Sequence, residues 1–285
     1  MFIKQAFNYL HDSWRYVVGA IVIFLVSQLG AIPFALIATF KLMQEGGDIT
    51  SLDDPATLMT VLDSNLTLFL MLLSFVFGLI AVVVVVKYLH KQPLVAATTS
   101  RKKVDWGRIW FSFLLIAITT IVLTVIDYYG NPDDYVVQFE AVPFIILAVI
   151  AILMIPLQTS FEEYLFRGYL MQGNTIMIYY IGTGFFLGII TLMDEGMELA
   201  LGFHAGNNLI AALLVTADWT VFQTNSILKD ISNPTAGFDI LVPVLVMYPV
   251  FIGIMAWKYK WTNWSEKLFG KVTPPIKPSE EIIES

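Results

Sequence analysis

Residues 66–86 carry no charge and end in Ala81-Val82-Val83-Val84-Val85-Val86. The hydrocarbon core of a bilayer is about 30 Å thick, and about 20 apolar residues cross it as a helix. No water reaches the backbone N–H and C=O groups there, so an α-helix, which satisfies them internally, is the expected fold of such a run. Comparable runs lie near residues 17–40, 109–126, 143–158, 176–193, 199–217 and 238–257. Seven apolar segments predict an all-α, polytopic transmembrane helix bundle. Composition agrees. The 285 residues are 57% hydrophobic and 14% charged, whereas soluble domains are about 45–50% apolar and about 25% charged. The run at 17–40 is longer than the roughly 7–15 residues of a signal-peptide core and is expected to stay as the first helix.

The flanks set an expected orientation. Residues 1–16 mix Phe2, Phe7, Tyr9 and Trp14 with Lys4, Asp12 and Arg15, as an interfacial helix would. The loop at 44–65 is acidic, with Glu45, Asp48, Asp53, Asp54 and Asp63. The loop at 87–108 holds six basic residues, Lys87, Lys91, Arg101, Lys102, Lys103 and Arg108. Asn131-Pro132-Asp133-Asp134 is acidic again. The tail carries Lys258, Lys260, Lys267, Lys271 and Lys277 around Pro274-Pro275, after a belt of Trp257, Trp261 and Trp264. Basic loops stay cytoplasmic, which predicts a cytoplasmic N-terminus and a cytoplasmic tail in the cell membrane of a prokaryote. Seven full crossings cannot deliver both. Either one segment is re-entrant or a span is lacking. The shortfall falls between Arg167 and His204, which only 36 residues separate. Three regions follow: 1–139 with three spans, 140–257 as a core, and the tail 258–285.

The net charge of −7 argues against non-specific nucleic-acid binding. The absence of cysteine excludes disulfides, thiolate nucleophiles and Cys-based zinc sites. Any histidine chemistry draws on His11, His90 and His204. The first two flank the spans and are expected at the interface. Asp194, Glu195 and Glu198 read as a solvated turn, and Asp127 as a helix end facing water.

Chemistry concentrates in Glu162-Glu163-Tyr164-Leu165-Phe166-Arg167. One ionised side chain at the bilayer centre costs about 2.5–3.5 kcal/mol on insertion scales, so three within six positions point to function. Glu163 and Arg167 are four apart and can pair on one helix face. Glu162 is turned about 100° away and is free to act as a base toward water. An ion pair at a membrane boundary, with Glu162 solvated, is the plainer alternative. In the second cluster, Gly202-Phe203-His204-Ala205-Gly206-Asn207-Asn208, the side chains of His204 and Asn208 are four apart and offer donors to a developing oxyanion. His204 could also ligate a metal. Gly202 and Gly206 allow close helix approach, as do Gly184 and Gly188.

Glu162-Glu163-x-x-x-Arg167 followed by His204-x-x-x-Asn208 resembles the CPBP family of intramembrane proteases. That family includes the CAAX prenyl endopeptidases and the bacteriocin-processing or immunity (Abi) proteins. The string Glu-Glu-Tyr-Leu-Phe-Arg-Gly-Tyr-Leu at 162–170 looks like its first motif and His204-Ala-Gly-Asn-Asn208 like its third. The resemblance covers about residues 140–257. It implies a peptide or protein substrate, Glu162 as the base that activates water, Glu163 and Arg167 in support, and His204 with Asn208 on the oxyanion. It also raises a divalent metal such as zinc, for which Glu162 and His204 are the candidates in a poor set of ligands. The chain departs from the family at the second motif, Phe-x-x-x-His. No histidine lies between Arg167 and His204, and Phe185 and Phe186 are followed four residues later by Ile189 and Ile190. The lacking motif falls where the crossing count is short, near Gln172-Gly173-Asn174. An intact family-like core would have eight spans. The expected function is therefore an intramembrane endopeptidase. The alternatives are a non-catalytic immunity or scaffold protein of the same fold and, third, a transporter using the two glutamates. A cation path has no special need of the His-x-x-x-Asn donors.

Overall fold

The computed structural model describes residues 2–48, 50, 52, 54–170, 183–218, 223–232 and 243–271. The junction at Gln172-Gly173-Asn174, the starts of the runs at 176 and 238, Asp53, Asn233, Pro234, Pro274-Pro275 and Lys277 lie outside these residues. The described residues are 78% helical, in keeping with an all-α fold. Ten α-helices occur among the described residues. They are α1 (Ser13–Gln44), α2 (Pro55–Thr60), α3 (Ser64–Val84), α4 (Leu94–Thr98), α5 (Trp106–Gly130), α6 (Ala141–Glu163), α7 (Thr183–Asp194), α8 (Glu198–Leu214), α9 (Tyr248–Tyr259) and α10 (Trp264–Phe269). Among the described residues, four helical stretches are long and apolar enough to cross a membrane: Ser13–Gln44, Ser64–Leu89, Trp106–Gly130 and Ala141–Tyr169. Thr183–Asp194 and Pro243–Tyr259 are apolar but shorter.

Side-chain caps start two of the long helices where the sequence turns polar. Asp63 accepts from the backbone N–H groups of Asn65 and Leu66 at the head of α3, and Asp105 from those of Gly107 and Arg108 at the head of α5. Each satisfies donors that the first turn leaves without a partner. Pro33 and Pro156 lie inside α1 and α6. A proline removes one backbone donor, so Pro156 weakens the helix ladder shortly before Glu162. Two of the long helices widen into π-helical turns at their ends, Val85–Leu89 after α3 and Tyr164–Leu170 after α6. Such turns concentrate at functional sites.

Glycines bring the helices together. A Cβ on Gly30 of α1 would sit 2.6 Å from the Leu73 carbonyl oxygen of α3, and one on Gly78 of α3 would sit 2.6 Å from the Phe161 ring of α6. At Gly202 of α8 a Cβ would overlap the Ile109 carbonyl and the Ser112 hydroxyl of α5. At Gly206 it would come within 2.8 Å of the Phe113 carbonyl. The Gly202/Gly206 pair thus sets α8 directly on the backbone of α5. Leu68 and Leu72 of α3, Leu147, Ala151 and Ile155 of α6, and Leu209 of α8 form the core on the other side of α8.

The acidic turn is not solvated. Asp194 and Glu198 are 4% and 0% exposed. Arg101 reaches Asp194 at 3.0 Å and Glu198 at 3.2 Å, Arg108 also pairs with Asp194, and the Trp261 indole donates to Asp194 at 3.1 Å. Glu195 pairs with Lys267 at 3.1 Å. Two basic residues of the 87–108 loop and one tryptophan of the expected belt are therefore engaged by buried carboxylates. Trp257, at 83% exposure, does stand outward. A buried carboxylate needs a partner, and these partners come from elements far away in sequence.

His90 likewise lies inside the protein, 2% exposed, rather than at a wet interface. Its Nδ1 is 2.7 Å from the Leu10 carbonyl, and its Nε2 is 3.3 Å from the Tyr169 hydroxyl. That hydroxyl donates to the carbonyls of Arg15 and Tyr16. The N-terminal segment, with Phe2 fully buried, is thereby fastened to the end of the helix that carries the glutamates. His11 is exposed. Burial pulls the His90 pKa below its ordinary value of 6.5. The unfolded chain then binds more protons than the folded one between that lowered value and about 6.5. Stability is expected to fall as pH drops through this window. Melting temperatures in detergent between pH 8 and pH 5 check it: the wild type should lose more than His90→Gln, and parallel curves would contradict the assignment.

Among the described residues the helices are joined by a three-stranded sheet, ordered β1-β3-β2. β1 (Tyr135–Val137) runs antiparallel to β3 (Leu228–Asp230), and β2 (Val215–Ala217) runs parallel to β3. Strands of three residues are too short to show alternation in sequence. The central strand, β3, lies between the apolar runs at 199–217 and 238–257.

Candidate active site

Glu162 and Glu163 end α6, and Arg167 lies in the π-helical turn that continues it. The expected pairing forms: Arg167 Nη1 donates to Glu163 Oε1 at 3.0 Å, with the two side chains 10% and 0% exposed. His204, on α8, enters between the two carboxylates. Its Nδ1 is 2.8 Å from Glu163 Oε1 and its Nε2 is 3.3 Å from Glu162 Oε2. Close packing of α8 on α6 makes this contact, which spans 41 positions of sequence.

The geometry constrains the protons. A neutral imidazole has one donor and one acceptor nitrogen. Glu163 Oε1 already accepts from Arg167, so Nδ1 is the nitrogen that donates to it. Nε2 then faces a second carboxylate oxygen, and one proton must sit on that axis, on His204 or on Glu162. With it, two carboxylates, one guanidinium and one imidazole sum to zero charge, which a low-dielectric setting favours. Glu162 is the more open carboxylate, 27% exposed. Glu163 Oε2 is buried and has no hydrogen-bond partner among the described residues.

Two residues join that sequence reasoning did not single out. Gln158 Nε2 donates to Glu162 Oε1 at 2.8 Å, and Gln158 Oε1 accepts from Asn208 Nδ2 at 3.4 Å. Asn207 Nδ2 donates to Asn208 Oδ1 at 3.1 Å. Gln158 stands four residues before Glu162, on the same helix face. A polar side chain at that spacing in an apolar run is a signal the sequence does contain. Asn208, expected to point at an oxyanion, is linked to Glu162 through Gln158 and keeps one amide hydrogen for another acceptor. All five sequence-derived residues, Glu162, Glu163, Arg167, His204 and Asn208, thus converge on one place.

The donors do not fit a zinc ion. Among the described residues, no group of three or more His, Cys, Asp or Glu side chains is arranged to hold a metal. Both nitrogens of His204 are engaged by carboxylates, which leaves Glu162 and His204, the two candidates, without a third ligand.

Among curated proteins, the chain is similar to the uncharacterized protein YyaK of Bacillus subtilis (strain 168). The two are 26% identical over 281 aligned residues, covering 87% of this chain and 92% of that one. No family model and no solved structure matches.

Proposed function

We propose that this protein is an intramembrane endopeptidase of the CPBP type, which hydrolyses a peptide bond of a membrane-associated, lipidated or leader peptide with water activated by Glu162. The observation that carries this reading is the placement of His204 between Glu162 and Glu163 at 3.3 and 2.8 Å. Glu162 Oε2 takes a proton from water as the water oxygen attacks the scissile carbonyl carbon. The tetrahedral oxyanion is met by the free amide hydrogen of Asn208 and by the proton on His204 Nε2. Glu163, charge-balanced by Arg167, holds His204 through Nδ1. Collapse breaks the C–N bond, the proton goes to the leaving amine, and a new carboxylate and amine depart. The same reading carries the finer architecture: seven segments in the cell membrane, a protease core at 140–257, and the N-terminus and tail on the cytoplasmic side.

The test is a reconstituted assay in H₂¹⁸O with lipidated and leader-type peptides. Cleavage should place one ¹⁸O in the new C-terminal carboxylate. An absence of cleavage, together with cation flux that depends on Glu162 and Glu163, would replace this reading with transport.

A second reading, a non-catalytic immunity or scaffold protein of the same fold, is favoured by two features. No histidine lies between Arg167 and His204, and Glu163 Oε2 has no partner among the described residues. Under this reading the cellular phenotype survives both Glu162→Gln and His204→Ala.

A further inference from the structure

We infer that Gln158 is a positioning residue for Glu162, the head of a directional chain of side-chain amides that fixes the carboxylate's orientation. The inference rests on the reading of Glu162 as the base. Three amides run one way: Asn207 Nδ2 to Asn208 Oδ1 at 3.1 Å, Asn208 Nδ2 to Gln158 Oε1 at 3.4 Å, and Gln158 Nε2 to Glu162 Oε1 at 2.8 Å. Every donor points toward the carboxylate, and aligned hydrogen bonds of this kind polarise one another. Gln158 is 6% exposed, whereas the Glu162 side chain is 27% exposed. The rigid partner is therefore the amide and the accessible one the acid. With Oε1 held by Gln158, Oε2 is the oxygen that faces His204 Nε2 at 3.3 Å. The division of labour follows: Oε1 anchors and Oε2 exchanges the proton. Without the anchor, the terminal torsion of Glu162, which is broad and weakly restrained, lets either oxygen swing away from His204.

The amide chain also joins the two halves of the site. α6 carries Gln158 and Glu162, and α8 carries Asn207, Asn208 and His204, so a shift of α8 reaches Glu162 along two routes, through His204 and through the amides. Pro156 stands two residues before Gln158, where the helix is least held by its own ladder. The cross-helix bond of Gln158 therefore steadies a stretch whose backbone is weakened.

Gln158→Met keeps the length and removes the amide. It should lower kcat by about 10- to 100-fold, the range that one hydrogen bond to a charged group spans, with KM within about twofold. Asn207→Ala, at an exposed position, breaks the chain two links away without touching the core and should move kcat in the same direction by less. The second readout does not need turnover: the rate at which a water-soluble carbodiimide with an added amine labels Glu162, followed by peptide mass spectrometry. Released from its anchor, Glu162 should label faster in Gln158→Met than in the wild type. Unchanged labelling overturns the inference, and so does faster labelling with an unchanged kcat. If the wild type cleaves no peptide, the protease reading fails on its own, and the labelling rate alone decides whether Gln158 holds Glu162.

Discussion

Glu162→Gln is expected to lower peptide turnover by about 10²–10⁴-fold, the contribution of a positioned general base. The variant retains the size and polarity of the side chain and loses only the site that takes the proton. Since Glu162 is 27% exposed and stands outside the Glu163–Arg167 pair, its melting temperature should stay close to that of the wild type. The measurement is kcat/KM on the reconstituted protein with a cleaved peptide, beside a thermal melt of the same preparation. Equal turnover by the two proteins would remove Glu162 from the chemistry and, with it, the proposed mechanism.

Arg167→Met should destabilise the fold by about 3–5 kcal/mol, as expected when a buried ion pair loses one partner. Glu163 is fully buried, its Oε1 accepts from Arg167 at 3.0 Å, and its Oε2 already lacks a partner among the described residues. Removal of the guanidinium leaves a buried carboxylate facing His204 alone. The double variant Glu163→Gln/Arg167→Met should recover much of the loss, because it removes the uncompensated charge together with its partner. Thermal or denaturant unfolding in one detergent measures both. A loss below about 1 kcal/mol for Arg167→Met would mean that the pair behaves as a solvent-screened surface bridge.

These two expectations separate the roles within one short motif. Glu162 governs chemistry and little stability, while Glu163 and Arg167 govern stability and, through Nδ1 of His204, the orientation of the imidazole. A shared role for all three would instead give parallel losses in both measurements.

The long helices were legible because their causes are local. A run such as 66–86 has no alternative to helix in lipid, and Asp63 and Asp105 sit where the caps are needed. The i,i+4 pairing of Glu163 with Arg167 follows from helical geometry alone, and so does the Gln158–Glu162 bond, once the polar residue in the apolar run is noticed. The burial of the acidic turn at 194–198 is not legible in the sequence because its partners are not local. Arg101 meets Asp194 across 93 positions and Glu198 across 97, and nothing in the turn itself distinguishes a solvated carboxylate from one that a distant guanidinium will cover. His90 is the same case, since its neighbours Leu10 and Tyr169 lie 80 positions before it and 79 after it.

The sequence by itself determined that this protein is built of apolar helices and that Glu162, Glu163 and Arg167 lie at the end of one of them and His204 within another. Periodicity, capping and the cost of charge in lipid act within a few residues of where they are read. Only the tertiary structure decided that His204 bridges Glu162 and Glu163, that Asn208 reaches Glu162 through Gln158, and that Asp194 and Glu198 are buried. Each of these depends on the close approach of segments far apart in sequence; Gly202 and Gly206 permit one such approach, that of α8 to the backbone of α5.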